Sequence, residues 1–102
     1  MTLRGKDRAL LRAEANRLAA TVHVGHAGIT PAVIQALDDA LRTRELVKVQ
    51  LAKQSDRTPK ALATELAGAT DAEVVQVIGR TATFYRHNPH LERKDGAPPP
   101  WR

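Results

Sequence analysis

The stretch Val24-Gly25-His26-Ala27-Gly28-Ile29-Thr30-Pro31 restricts the fold of this chain more than any other. A β-type apolar run, Thr21–Val24, stops at a glycine, and a second glycine and a Thr-Pro pair follow closely. Thr30 is suited to cap a helix, and Pro31 to enter its first turn, where a missing N–H does no harm. The chain must therefore pass from an extended strand into a helix within a few residues. Glycine gives the backbone the freedom for that junction. The same pair recurs at Thr58-Pro59, so another helix is predicted to begin there.

Between these marks the pattern alternates. A first helix is predicted over Lys6–Ala19, with Leu11, Ala15 and Leu18 forming one buried stripe. A strand follows at Thr21–Val24. The Thr30-capped helix runs to about Thr43, with Val33, Ile34, Leu37, Ala40 and Leu41 inward and Gln35, Asp38, Asp39 and Arg42 outward. The next strand is Glu45–Leu51. Val47, Val49 and Leu51 line one face, and Leu46, Lys48 and Gln50 the other. A polar loop, Lys53–Arg57, leads to the third helix, which buries Leu62 and Leu66 and is expected to end at Gly68 as its C′ residue. Strands at Glu73–Ile78 and Thr81–Arg86 enclose Gly79-Arg80, a two-residue turn suited to type II′. The order α-β-α-β-α-β-β implies an α/β fold of the two-layer α+β kind: a small mixed four-stranded sheet packed by helices.

Only 3% of residues are aromatic, so the core must be built from Leu, Val, Ile and Ala. With no cysteine, disulfides, thiolate metal sites and cysteine nucleophiles are excluded. No apolar run approaches a membrane span or a secretory leader, and the expected location is the cytoplasm. There is no internal repeat. Residues 1–86 read as one domain whose body begins near residue 3. Residues 87–102 form a Pro-rich basic tail, ending Pro98-Pro99-Pro100-Trp101-Arg102, that is expected to be disordered.

Sixteen Lys and Arg outnumber eleven Asp and Glu, giving a net charge of +5, and such a balance suits an acidic partner, above all nucleic acid. A glycine loop entering a helix N-terminus can receive a phosphate: glycines allow close approach, and the helix dipole favours an anion. A plain turn would also explain the glycines. Enzymatic chemistry finds little support. His87 and His90 lack further ligands, and neither a metal nor another cofactor is expected. Ser55, the only serine, has no glycine elbow or evident base. Asp38, Asp39, Asp56 and Asp71 show no convergent spacing, and His23 within its strand is read as structural.

From Leu3 to Arg86 the chain resembles the CRM domain (chloroplast RNA splicing and ribosome maturation) in its bacterial single-domain, YhbY-like form. The resemblance rests on Val24-Gly25-x-x-Gly28-Ile29-Thr30 with its following helix, on Glu45-Leu46-Val47-Lys48-Val49, and on Val75-Gln76-Val77-Ile78-Gly79-Arg80-Thr81 leading to Tyr85-Arg86. It implies a fold like the C-terminal domain of a bacterial translation initiation factor, and loosely like KH domains. It also implies a non-enzymatic RNA-binding protein, acting on rRNA of the precursor large ribosomal subunit as a monomer, with no small-molecule substrate. The RNA surface so implied comprises Gly25, His26, Ala27, Gly28, Thr30, Lys48, Arg80, Thr81, Tyr85 and Arg86. Lys48 could instead be a solvated strand residue, Arg80 a turn decoration and Tyr85 a packing residue. The loop interior departs from the family's usual basic or polar pair, because His26-Ala27 carries a charge only when His26 is protonated. The alternative function is an adaptor that docks ribosomal proteins or assembly factors through its basic face or its tail.

Overall fold

The computed structural model describes residues 5–53 and 56–87, with side chains from Arg8 onward. Seven elements follow one another: α1 (Gly5–Ala15), β1 (Val22–Val24), α2 (Pro31–Arg44), β2 (Leu46–Leu51), α3 (Pro59–Thr70), β3 (Glu73–Ile78) and β4 (Thr81–Tyr85). They build the expected four-stranded mixed sheet, in the order β1-β2-β4-β3. β1 runs parallel to β2, with α2 as the crossover, while β4 is antiparallel to both β2 and β3.

Both Thr-Pro pairs act as the sequence indicates. Thr30 Oγ1 accepts the Val33 N–H at 3.2 Å, and Thr58 Oγ1 accepts the Ala61 N–H at 3.1 Å. Each helix then lays a Leu-rich stripe on one side of the sheet. Val22, Val24, Val47, Val49, Leu51, Ala82 and Phe84 meet Leu37, Leu41, Leu62, Ala63 and Leu66 there in one buried cluster. Among the described elements, the opposite side receives α1, where Leu11 packs with Leu46, Val75 and Tyr85. Val75 reaches that side because a bulge between Val74 and Gln76 inserts one extra residue opposite β4.

Besides one-residue shifts at the start of β1 and the end of β4, three element ends differ from the expectation. Leu18 does not continue the buried stripe of the first helix and is 38% exposed. α1 stops at Ala15, and the following turns close through Arg17 N–H to Glu14 O and Leu18 N–H to Ala15 O. That tighter i→i+3 winding rotates Leu18 off the stripe. Gly68 is not a C′ residue but lies inside α3, which continues to Thr70. Asp71 supplies the left-handed residue (φ 55°), and the Ala72 N–H closes back on Ala67 O at 3.0 Å. Asp, like Asn, tolerates this conformation better than most side chains. Glu45 is not the first residue of a strand. It caps α2 at φ 63°, because the chain reverses into β2 with no loop in between. Its N–H donates to Leu41 O at 2.9 Å and its C=O accepts the Arg86 N–H at 3.0 Å, which holds the strained residue in place.

No helix among the described residues is long and apolar enough to cross a membrane. Ser55, His90 and the tail with Trp101 lie outside the described residues.

Candidate nucleic-acid interface

Three chain segments end at the same rim of the sheet. β1 leaves it through Gly25–Gly28, β2 through Ala52-Lys53, and β3 and β4 meet there in the turn Gly79-Arg80. Backbone hydrogen bonds brace the rim. The Leu51 N–H donates to Arg80 O at 2.7 Å, and the Ala52 N–H donates to Val24 O at 2.8 Å. Gly79 takes φ 56° while Arg80 keeps a negative φ, as a type II′ turn requires, so Arg80 stands exposed at the tip.

The two loop glycines have different reasons to be glycine. Gly28 sits at φ 79° and donates its N–H to Gly25 O at 3.0 Å, closing a tight turn. A side chain there would be strained. Gly25 has no positive φ, and a Cβ built on it meets nothing within 4 Å among the described residues. Neither the turn nor the packing demands glycine at that position. What its bare backbone leaves is room for something outside the chain. His26 and Ala27, between the two, are exposed.

The donors of the α2 start are largely committed. Pro31 has no N–H, Val33 gives its N–H to Thr30 Oγ1, and Ile34 gives its own to Thr30 O at 3.0 Å. An anion at this loop would therefore be held by close approach, by the helix dipole and by neighbouring cations rather than by a full fan of amides. Those cations are at hand. His23, Gly25, His26, Gln50, Lys53 and Arg80 line an open concavity of about 410 Å³. Lys53 and Arg80 also line a neighbouring hollow at the N-terminus of α3, where Arg57 pairs with Glu65 at 2.7 Å.

The structure brings Gly25, His26, Ala27, Gly28, Thr30, Arg80 and Thr81 to this end of the molecule. The other sequence-derived candidates stand apart. Lys48 lies mid-strand on the α1 side, and its Nζ donates to Ala15 O at 3.2 Å and Leu18 O at 3.3 Å, capping the end of α1. Tyr85 is buried in the α1 cluster, about 13 Å along β4 from Thr81. Arg86 joins three elements: its guanidinium donates to Asp38 Oδ1 at 2.8 Å, Thr70 O at 2.7 Å and Asp38 O at 3.1 Å. Asp38 thus faces a partner rather than open solvent, while Asp39 turns away to Arg42 and Gln35. Those two hydrogen bonds, that to Arg42 foremost, hold the Asp39 carboxyl below its ordinary range.

Sequence reasoning passed over three contributors to the concavity: His23, Gln50 and Lys53. His23, read as structural, is exposed, because strand alternation turns Val22 and Val24 inward and His23 outward. The same alternation could have flagged Gln50. Lys53 had the signal of standing two residues past a strand end. Among the described residues no group of three or more His, Asp or Glu could hold a metal ion.

Comparison with known proteins places this geometry in a family. The CRS1 / YhbY (CRM) domain matches residues 3–86. The probable RNA-binding protein YqeI of Bacillus subtilis is 30% identical over 86 residues, covering 84% of this chain and 90% of its own. A probable RNA-binding protein of Methanocaldococcus jannaschii is 40% identical over 82% of this chain, which spans 63% of that protein. The solution structure of a hypothetical protein from Staphylococcus aureus, described as a candidate RNA-binding protein, superposes with a TM-score of 0.74 at 35% identity. It covers 96% of this chain and 100% of that one.

Proposed function

The chain belongs to the CRS1/YhbY (CRM) domain family, and from that premise we propose that it is a non-enzymatic RNA-binding protein. Its target is rRNA of the precursor large ribosomal subunit, whose maturation it assists as a cytoplasmic monomer. The relatives named as RNA-binding proteins support the RNA reading. The observation that carries it for this chain is Gly25, a glycine that neither turn nor core requires, set beside Lys53 and Arg80 on one rim. A phosphate can approach the bare backbone there with two cations within reach. Such binding holds a local RNA conformation and needs no reacting side chain. Because phosphate contacts release counterions, affinity falls steeply with salt.

The test is binding to large-subunit rRNA fragments across a salt series, comparing Gly28→Asp with Gly28→Asn. Both variants place a side chain at a positive φ, and only the first adds a negative charge. Gly28→Asp is expected to bind about tenfold more weakly than Gly28→Asn, a difference of about 1.4 kcal/mol. Equal affinities for the two folded variants would place the RNA elsewhere.

A further inference from the structure

The strand registers align one residue from each strand into a single row. His23 of β1 pairs with Gln50 of β2, Gln50 with Thr81 of β4, and Thr81 with Ile78 of β3. The row crosses the whole sheet just behind the rim that carries Gly25, Lys53 and Arg80. Neighbouring strands are about 4.8 Å apart, so the row is roughly 14 Å wide. Its side chains point to the α1 side, since Val24, Leu51, Ala82 and Val77 pack on the other.

α1 does not reach this row. Its buried contact, Leu11, sits on Leu46, Val75 and Tyr85 at the opposite end of the strands. His23 and Gln50 are exposed, and Ile78, at 62%, is the most exposed large apolar side chain among the described residues.

None of the four side chains carries a permanent charge, so the row does not suit a phosphate backbone. An imidazole, an amide, a hydroxyl and a branched alkyl group suit bases: ring faces to stack on and edges to hydrogen-bond. The permanent cations, Lys53 and Arg80, stand one step away on the rim. A ligand that satisfies both must present phosphates to one line and bases to the next. In a duplex the bases are turned inward, away from such a surface. In an unpaired strand they are free to lie flat.

We infer that the row His23–Gln50–Thr81–Ile78 is a base platform for single-stranded RNA, whose backbone runs along the Gly25–Lys53–Arg80 rim. This rests on the RNA-binding reading above and adds to it the strandedness of the ligand and the surface that selects it.

The experiment is a backbone amide titration of the full chain with a short single-stranded oligouridylate and with a blunt RNA duplex. It is paired with affinities for the variant Ile78→Ala, whose side chain is exposed and lies outside the rim concavity, so the variant is expected to keep the parent amide spectrum. The single strand should shift the amides of all four row residues together with those of the loop. The variant should lose about fivefold in affinity for the single strand, the low end for one base contact, and nothing for the duplex. Loop shifts with an unmoved row would overturn the platform and leave RNA binding at the rim intact. Equal binding of the variant and the parent to the single strand would do the same. Contacts between the row and Trp101 in the RNA-free protein would assign the row to the chain's own tail, against the inference. Failure of both RNAs to bind while large-subunit rRNA fragments still do would overturn the platform alone; failure of the rRNA fragments as well would remove the RNA-binding reading, and the platform with it.

Discussion

The sheet is finished differently on its two faces. Towards α2 and α3, twelve buried residues form one continuous cluster with Phe84 fully enclosed. Towards α1, among the described residues, Leu11, Leu46, Val75 and Tyr85 form the buried cluster, and half of the face is left to a polar row and one bare Ile78. Even the covered half is imperfect, since the Thr83 hydroxyl is buried there with no hydrogen-bond partner among the described residues. Stability is concentrated on one side of the sheet. The other side is free to carry exposed groups that folding alone would not select.

The largest effect that could break this comparison is in the main core. Phe84→Ala is expected to lose about 3–5 kcal/mol in denaturant unfolding, and Leu11→Ala about 2 kcal/mol, since its cluster is small and can collapse. Equal losses would mean that the two faces share the stability evenly. Arg86→Ala should lower stability by about 2 kcal/mol by leaving Thr70 O and the Asp38 carboxylate without their charged donor. Its RNA affinity should hold, whereas a drop there without unfolding would return Arg86 to the binding surface.

Thr83→Val sharpens the contrast in the other direction. Replacing a buried, unpartnered hydroxyl by a methyl of similar shape should raise stability by about 1 kcal/mol. At the rim, Arg80→Ala and Lys53→Ala should each change stability by less than about 0.5 kcal/mol. Each should reduce the slope of log affinity against log salt by about one. The smallest effect lies on the solvent side of α2. In Arg42→Ala the Asp39 carboxyl should titrate closer to its ordinary range in an NMR pH series. Its folded pKa is depressed, so the contribution of this pair is present above the ordinary carboxylate pKa and fades as pH falls through the lowered value. The variant should lose that acid-side slope and little else.

Local chemistry was legible in the sequence, and long-range pairing was not. The two Thr-Pro pairs, the Gly79-Arg80 turn and the alternation of β2 each depend on residues within a few positions, and each appears where the pattern put it. Gly68 misled because the glycine was read as a C′ residue without regard to the buried Thr70, two residues on, whose hydroxyl donates to Leu66 O at 2.7 Å within the continuing helix. The partners of Lys48 and Arg86 lie on other elements, at Ala15, Leu18, Asp38 and Thr70, and no periodicity in their own strands could reveal them. The same holds for the concavity. Its glycine loop stood out in the sequence, but His23, Gln50 and Lys53 join it only through strand register.

The short parallel strand β1 has a consequence for the order of folding. β3 and β4 close over a two-residue turn, while β1 pairs with β2 across the whole of α2, and through just three residue pairs. Contacts with such a sequence separation carry a larger loop-closure entropy and tend to form late. β1, and with it the glycine loop, is therefore expected to dock last, onto a hairpin and helices already in place. In a pulse-labelled hydrogen-exchange refolding experiment, the Val24 and Ala52 amides should gain protection after those of Thr83 and Phe84. The reverse order would mean that the loop-bearing strand nucleates the fold.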